Sequence, residues 1–296
     1  MGPMGADIHP ELRRVARLLP RRMVYPWSVP LLRRLPDLPR PSNQDVEVLT
    51  LPGGAGVRLY RPSGSSSPAP GLVWIHGGGY VIGSAAQDDR LCRDWADRLG
   101  VVVAAAEYRL APEHPYPTPL EDCYQVLTWL AGLPGVDADR VAIGGASAGG
   151  GLAAALALLA RDRGEVRPVL QILSYPMLDD RTLDPALDDP GFRLWDTASN
   201  RFGWRSYLGG ADPAGAVPAR CEDLTGLPPA WIGVGTLDLF HGEDLTYAAR
   251  LAAAGVPCEF HEVPGAFHGF DRVAPKATVS QAYFDGTCES LRKACA

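Results

Sequence analysis

The sequence predicts an α/β protein in which helices flank a mostly parallel central sheet and a helical cap is inserted into the chain. Continuous apolar runs, typical of strands buried on both faces, alternate with segments of helical periodicity. The segment 177–228 interrupts this alternation, because it is rich in Asp, Pro and aromatic residues. Short motifs follow several of the apolar runs, and parallel sheets place their chemistry at the carboxyl ends of strands.

The predicted elements follow from these patterns in chain order. Residues 9–40 carry short, basic helices punctuated by proline, and 46–50 and 57–61 form paired strands around a glycine-rich turn. The buried strands are predicted at 71–75, 101–106, 140–144, 169–175, 230–236 and 259–263. The helices are predicted at 87–99, 119–131, 148–163, 242–254 and 278–294.

The composition indicates a protein that acts on small molecules. Its 296 residues include 46% hydrophobic side chains, enough for one large α/β domain or two small ones. The net charge of −6 argues against a nucleic-acid surface. Arginines do cluster early in the chain, and we interpret them as the solvated face of a helix. They are Arg13, Arg14, Arg17, Arg21, Arg22, Arg33 and Arg34.

The sequence contains no pattern that predicts membrane insertion or metal binding. Its six cysteines form no C-x-x-C pair and no cluster with metal-ligand spacing, which indicates a reducing compartment. The first 30 residues lack the apolar run of a secretory signal, and the longest apolar run, near 151–160, is too short to span a bilayer. We therefore expect a cytoplasmic protein without membrane insertion.

The segment 144–150 is the most informative motif. It reads Gly-Gly-Ala-Ser-Ala-Gly-Gly and lies between a predicted strand and a predicted helix. Its pattern Gly145-x-Ser147-x-Gly149 is that of a nucleophile elbow, a strained turn that presents a serine hydroxyl. Such short motifs also arise by chance, so the alternative interpretation is a tightly packed helix start.

A second motif, Trp-Ile-His-Gly-Gly-Gly-Tyr at 74–80, follows the strand 71–75. Three successive glycines leave their backbone N–H groups uncovered, which suits an oxyanion hole that the N–H of Ala148 would complete. Alone, the motif favours an ordinary glycine-rich turn, but its pairing with the elbow favours the oxyanion hole.

Two further strand ends supply a carboxylate and an imidazole. Asp238 closes the fifth predicted buried strand, where it can orient a histidine, although a helix N-cap or a plain turn residue is the alternative and Glu243 and Asp244 are competing acids. His268 follows the last predicted strand and can reach Ser147 as a general base. The order serine, acid, histidine along the chain is typical of one hydrolase architecture.

Together these segments resemble the hormone-sensitive-lipase family of α/β-hydrolases, in its bacterial carboxylesterase branch. The resemblance covers nearly the whole region from 76 to 270. It rests on His-Gly-Gly-Gly-Tyr at 76–80, Tyr-Arg-Leu-Ala-Pro-Glu-His-Pro-Tyr-Pro at 108–117, Gly-Ala-Ser-Ala-Gly-Gly at 145–150, Asp238, and His-Gly-Phe at 268–270.

The resemblance implies an α/β-hydrolase fold and a role for each matched residue. His76 would steady the oxyanion loop through hydrogen bonds without titrating. The implied catalytic residues are Ser147 as nucleophile, His268 as base and Asp238 as the acid that orients it, with Gly78, Gly79 and Ala148 as oxyanion donors.

The resemblance also implies a division of the chain. Residues 1–45 and 177–228 would form a helical cap, and 46–176 and 229–296 would form one catalytic domain. An aromatic side chain in the cap is as readily part of its own core as a substrate contact. The candidate pocket walls are Trp27, Tyr80, Trp195, Phe202 and Trp204.

The activity that follows is a serine carboxylesterase for short- to medium-chain acyl esters, with a small-molecule substrate and no metal or cofactor. Alternatives are an acyltransferase or deacetylase on the same triad, or a non-catalytic ligand-binding protein, against which the presence of His268 argues. A homodimer remains an open possibility.

Two positions depart from the family pattern. Ala146 stands where relatives usually carry Asp, Glu or Thr, so the bracing of the elbow is expected to differ. Leu239 and Phe240 replace a Pro-Leu pair after Asp238, which puts a proline-dependent turn in doubt, while Glu243 keeps its place.

Overall fold

The computed structural model of the protein describes residues 8–34, 46–64 and 68–296. The remainder of the predicted cap range 1–45 therefore lies outside the described residues.

Eight strands form one sheet in the order β1-β2-β4-β3-β5-β6-β7-β8. Strand β2 pairs antiparallel with β1 and β4, and all other neighbours are parallel, which confirms the predicted fold class. The strands are β1 (Val46–Thr50), β2 (Gly56–Tyr60), β3 (Ala69–Ile75), β4 (Val102–Glu107), β5 (Val136–Ala146), β6 (Gln171–Ser174), β7 (Ala230–Leu237) and β8 (Cys258–Phe267).

Helices cover both faces of this sheet, as the continuous apolar strands require. Along β3, Leu72 and Trp74 pack in one core and Val73 and Ile75 in the other. Helices α3 and α9 contribute to the first core, and α4, α5 and α7 to the second. The helices are α1 (Arg13–Ala16), α2 (Val29–Leu32), α3 (Asp89–Leu99), α4 (Thr118–Ala131), α5 (Ala148–Arg163), α6 (Thr197–Leu208), α7 (His241–Ala253), α8 (Phe270–Val273) and α9 (Thr278–Ala294).

Several strand bounds differ from the prediction by a few residues, and the ends of β6 and β8 bear on the residues that follow them. Strand β6 ends at Ser174 because Tyr175 has a φ of 37°, which an extended residue does not adopt. Strand β8 continues through Pro264 to Phe267, and as an edge strand it tolerates a residue without an N–H. His268 therefore follows directly from a strand. None of the helices in the described ranges is long and apolar enough to cross a bilayer.

The first described residues and the insertion are joined over the carboxyl end of the sheet. We call residues 8–34 the arm. Its Met23 N–H donates to the Leu194 carbonyl at 3.3 Å, and the Leu194 N–H donates to the Pro20 carbonyl at 2.9 Å. Within the insertion 177–228 only α6 is an α-helix, and turns rich in Asp and Pro make up much of the remainder.

A buried ion pair fixes the start of α3 to the sheet. The Arg58 guanidinium on β2 donates to both Asp89 carboxylate oxygens, at 2.8 and 2.7 Å, and the Tyr60 hydroxyl donates to one of them at 2.5 Å. The Arg58 side chain is 16% exposed and that of Asp89 is 5% exposed.

We expect Arg58→Met to lower the free energy of unfolding by about 3 kcal/mol or more, because it leaves the Asp89 carboxylate buried without its counter-charge. Arg61→Met is the matched control, since its pair with Glu47 is about half exposed and is worth at most about 1 kcal/mol. Urea denaturation measures both; equal losses would contradict the distinction.

Candidate active site

Ser147 stands at the tip of a sharp turn between β5 and α5. Its φ of 57° is rare for a residue other than glycine, and such strain concentrates at functional sites. A Cβ at Gly145 would lie 2.2 Å from the Gly149 carbonyl oxygen, and one at Gly149 would lie 2.1 Å from the Ile75 carbonyl oxygen. Only glycines allow the strand, the turn and the helix to approach this closely.

Backbone hydrogen bonds brace this turn. The Ser147 N–H donates to the Ser174 carbonyl at 2.9 Å, and the Ser147 carbonyl accepts from the Met177 N–H at 3.0 Å. Ala146 is buried in the core beside Trp74. The elbow thus forms without a polar side chain at position 146.

His268 and Asp238 complete a chain of hydrogen bonds with Ser147. His268 Nε2 lies 2.9 Å from Ser147 Oγ, and His268 Nδ1 lies 2.8 Å from Asp238 Oδ2. Because Asp238 accepts at Nδ1, the imidazole carries its proton there and accepts from the serine hydroxyl at Nε2. The structure therefore brings together the three side chains that the sequence singled out.

The residues after Asp238 hold its second oxygen. The Phe240 N–H donates to Asp238 Oδ1 at 3.0 Å, and the His241 N–H donates to the Asp238 carbonyl at 3.2 Å. The turn after Asp238 therefore forms with Leu239 at the position where the family pattern has a proline. The Phe240 ring also packs edge-on against His268, with ring centres 5.2 Å apart.

Burial isolates this hydrogen-bond chain from water. The Asp238 side chain is fully buried, the His268 side chain is 10% exposed, and Ser147 is 6% exposed. Tyr175 packs edge-on against His268 at 4.9 Å, and the Trp195 ring lies 6.3 Å away. In such surroundings a fixed hydrogen bond to a charged group is stronger than it is in water. The sequence pattern did not identify Tyr175.

The glycine-rich loop lies beside the serine. Gly78 and Gly79 both have positive φ values, 130° and 60°. A Cβ at Gly77 would lie 3.2 Å from the Ser147 Cβ, so the loop backbone runs next to the nucleophile candidate. Ala148 begins α5, whose first N–H groups have no partner within the helix.

His76 supports this loop from below. Its Nδ1 donates to the Gly77 carbonyl at 2.8 Å, and its ring stacks on Tyr108 with centres 4.3 Å apart. The Tyr108 hydroxyl donates to the His76 carbonyl at 3.0 Å. Burial lowers the pKa of His76, which favours the neutral imidazole that this arrangement needs.

The insertion forms a roof over the loop. A Cβ at Gly79 would lie 2.1 Å from the Trp195 ring, so the indole lies directly on the glycine. On α6, a Cβ at Gly203 would lie 2.9 Å from the Gly79 carbonyl oxygen. Close contact between the insertion and the glycine-rich loop therefore depends on a glycine from each side.

The candidate pocket walls occupy different environments. Trp195 lies beside His268 and Gly79, and Phe202 is half-buried. Tyr80 and Trp204 are almost fully buried and pack against each other, with ring centres 5.3 Å apart, so their role as walls also stays a prediction. The Trp27 ring is 75% exposed and stacks on Tyr25, and its role as a pocket wall stays a prediction.

The two competing acids face elsewhere. Glu243 accepts from the N–H groups of Leu178 at 2.7 Å and Asp179 at 3.1 Å, and also bonds the Thr182 hydroxyl. It thereby ties α7 to the start of the insertion. Asp244 is fully buried without a hydrogen-bond partner among the described residues, and burial raises its pKa well above the usual value.

The described residues contain no group of three or more His, Cys, Asp or Glu side chains that could hold a metal ion.

Comparisons with known proteins match this chain over most of its length. A model of the alpha/beta hydrolase fold family matches residues 72–272. Esterase LipI of Mycobacterium tuberculosis is 36% identical over 291 residues, 92% of this chain and 91% of that one. Ethyl acetate hydrolase of Pseudomonas putida is 36% identical over 229 residues, 73% of this chain and 71% of that one.

The fold comparison is equally extensive. The structure of a bacterial heroin esterase superposes with a TM-score of 0.88 at 36% identity, and the match covers 99% of this chain and all of that one. The similarity therefore includes the insertion 177–228 as well as the sheet.

The environment of Glu243 predicts a pH dependence of stability. Burial raises its pKa to about 8 in the folded protein, against about 4.3 in an unfolded chain. Between these values the folded state holds a proton that the unfolded state has released, so the contribution of Glu243 to the free energy of unfolding falls as the pH rises. We expect Glu243→Gln to lose less stability than the wild type between about pH 5 and pH 8.

Urea denaturation at the two pH values measures this effect. Glu222→Gln, at an exposed position, is the control and should keep the wild-type decline. A decline in Glu243→Gln as steep as that of the wild type would show that the buried carboxyl does not titrate in this window.

Proposed function

The chain is a carboxylic ester hydrolase of the α/β-hydrolase family, from the branch that resembles hormone-sensitive lipase, and we propose that it works as a serine esterase on short- to medium-chain acyl esters. The observation that carries this proposal is the hydrogen-bond chain from Ser147 through His268 to Asp238, at 2.9 and 2.8 Å. Such a chain activates a weak nucleophile in acyl transfer.

In the proposed first half-reaction, Ser147 Oγ attacks the ester carbonyl carbon while its proton passes to His268 Nε2. The carbonyl oxygen becomes an oxyanion that the N–H groups of Gly78, Gly79 and Ala148 stabilise. The bond to the alcohol oxygen then breaks, and His268 gives its proton to that oxygen. The alcohol leaves and the acyl group stays on the serine.

In the second half-reaction, water takes the place of the alcohol. It gives a proton to His268 Nε2 as its oxygen attacks the acyl carbon, and the carboxylic acid leaves as Ser147 recovers the proton. Asp238 accepts the hydrogen bond from His268 Nδ1 throughout and stabilises the imidazolium that forms in each step. The buried Asp238 side chain and the nearly buried His268 supply a fixed rather than a solvated environment for that charge.

The preference for shorter acyl groups is supported by the roof over the site. Trp195 lies directly on Gly79, and Gly203 brings α6 within contact of the same residue. We infer that this close packing limits the depth of the site beside the proposed oxyanion donors. A relative that resembles this chain over 73% of its length is named for the hydrolysis of ethyl acetate, a short ester.

The division into cap and catalytic domain is part of the same proposal. We assign 1–45 and 177–228 to the cap, and 46–176 and 229–296 to the catalytic domain. The backbone bonds between the arm and Leu194 support a cap made from both segments.

We expect Ser147→Ala to lower kcat/KM for p-nitrophenyl esters by about 10⁴-fold or more, because the acyl-enzyme then has no oxygen on which to form. Ser63→Ala, at an exposed loop position, should keep wild-type turnover. Reaction of the wild type with a fluorophosphonate, and none by Ser147→Ala, would identify the nucleophile. Activity of the variant within tenfold of the wild type would overturn the serine mechanism.

A chain-length series from acetate to laurate tests the pocket separately. We expect kcat/KM to be highest for short or medium acyl chains, because of the roof over the site. Rising turnover up to laurate would contradict that preference and leave the serine mechanism intact.

We expect Asp238→Asn to lower kcat by up to about 10⁴-fold with little change in KM, since the amide favours the wrong imidazole tautomer. Asp244→Asn is the comparison, because its carboxyl is buried without a bond to His268. If both variants lost activity equally, Asp238 would have no special role.

A further inference from the structure

The arm exposes an unusual concentration of large apolar side chains. Leu18 is 85% exposed, Met23 41%, Trp27 75% and Leu31 60%. Elsewhere in the described residues, the large apolar side chains that are exposed to this degree are three scattered ones, on β1, in the insertion and on α7. Single exposed apolar residues are normal, but a cluster marks an interaction surface.

The same segment is strongly basic in an acidic protein. The arm contains seven arginines and one acidic residue, Glu11, whereas the whole chain has a net charge of −6. Four of the arginines have partners within the protein: Arg22 pairs with Asp196, Arg33 pairs with Glu113, and Arg13 and Arg21 donate to the carbonyls of Ile8 and Asp189. Among the described residues, three exposed arginines have no carboxylate or other hydrogen-bond partner: Arg14, Arg17 and Arg34.

Three attachments hold the arm over the catalytic edge of the sheet. The His9 N–H donates to the Gly265 carbonyl, just before His268, and Arg33 donates to the Val81 carbonyl, just after the oxyanion loop. Between them the arm bonds to Leu194, next to the roof. The arm therefore crosses the molecule on the side where Ser147 lies.

The buried residues of the arm fix which way the exposed ones face. The inward side chains are Leu12, Ala16, Val24 and Val29. Because these pack against the body of the protein, the exposed leucines, Met23 and Trp27 project outward from the carboxyl edge of the sheet. Exposed apolar and cationic side chains thus occur together along the outer side of the arm.

From this surface we propose that the arm docks the protein onto an anionic lipid surface, with the catalytic edge of the sheet facing the lipid. Tryptophan and tyrosine favour the boundary between headgroups and acyl chains, and arginine binds the phosphates there. Leucine and methionine side chains can enter the acyl layer without a spanning helix.

A lipid surface fits these residues better than a protein partner does. The apolar side chains are separated along the arm by arginines and prolines, so we expect separate apolar anchors and not a groove of fixed shape. A protein interface needs shape complementarity at an apolar centre, whereas a bilayer adapts to separate anchors. The docking does not depend on the proposed esterase mechanism, and its test uses no turnover.

The experiment uses the full chain with vesicles of phosphatidylcholine alone and of phosphatidylcholine mixed with phosphatidylglycerol. We expect sedimentation with the anionic vesicles only, weakening as salt rises. Of the seven tryptophans only Trp27 is largely exposed, so its acrylamide quenching should fall and its emission shift to the blue when the anionic vesicles are added.

Paired variants separate the two contributions. Arg14→Gln with Arg17→Gln should weaken vesicle binding about 30-fold, from about 1 kcal/mol for each arginine near the surface. Leu18→Ser with Leu31→Ser should also weaken it. The matched control, Arg90→Gln with Arg292→Gln, changes net charge equally on α3 and α9 and should bind as the wild type does. Thermal unfolding checks that each variant is folded.

Three results would overturn the proposal. One is the absence of binding to anionic vesicles at low salt. Another is equal binding by the arm variants and the control. The third is a dimer in solution that Leu18→Ser with Leu31→Ser dissociates while no vesicle binding occurs, since the apolar residues would then cover a second copy of the chain.

Discussion

The site depends on a close approach of three backbone segments with no side chain between them. The end of β3, the turn after β5 and the first turn of α5 meet where Gly145 and Gly149 lie against neighbouring carbonyl groups. This approach places the first N–H groups of α5 and the glycine-rich loop on the same side as the Ser147 hydroxyl. A strained backbone at the serine is held by these contacts and by bonds to Ser174 and Met177.

The cap rests on this frame through a second pair of glycines. Because Trp195 covers Gly79 and Gly203 lies against its carbonyl, a change in the cap reaches the proposed oxyanion donors directly. The arm is joined to the same part of the insertion, since it is hydrogen-bonded to Leu194 beside Trp195, and it presents exposed arginines and apolar side chains.

Three carboxyl groups within seven residues have different roles because their partners differ. Asp238 accepts from His268 and from a backbone N–H, Glu243 accepts from two N–H groups of the insertion, and Asp244 has no partner among the described residues and a raised pKa. Sequence spacing favoured Asp238 but left the other two as competitors. Only the packing around α7 distinguishes the carboxylate that contacts His268 from the one that ties α7 to the insertion and from the one whose pKa burial raises.

The sequence by itself determined the sheet, most helix bounds and the order of serine, acid and histidine, because apolar periodicity and glycine motifs are local signals. It did not distinguish core from pocket wall at Tyr80, Trp204 and Trp27, since an aromatic residue packs as readily in a core as in a wall. The sequence also predicted that β8 ends before Pro264, because a local pattern does not show whether a strand lies at the edge of the sheet. Tertiary structure alone decided these points, along with the neighbours of His268 and the outward face of the arm, because burial depends on contacts between distant segments.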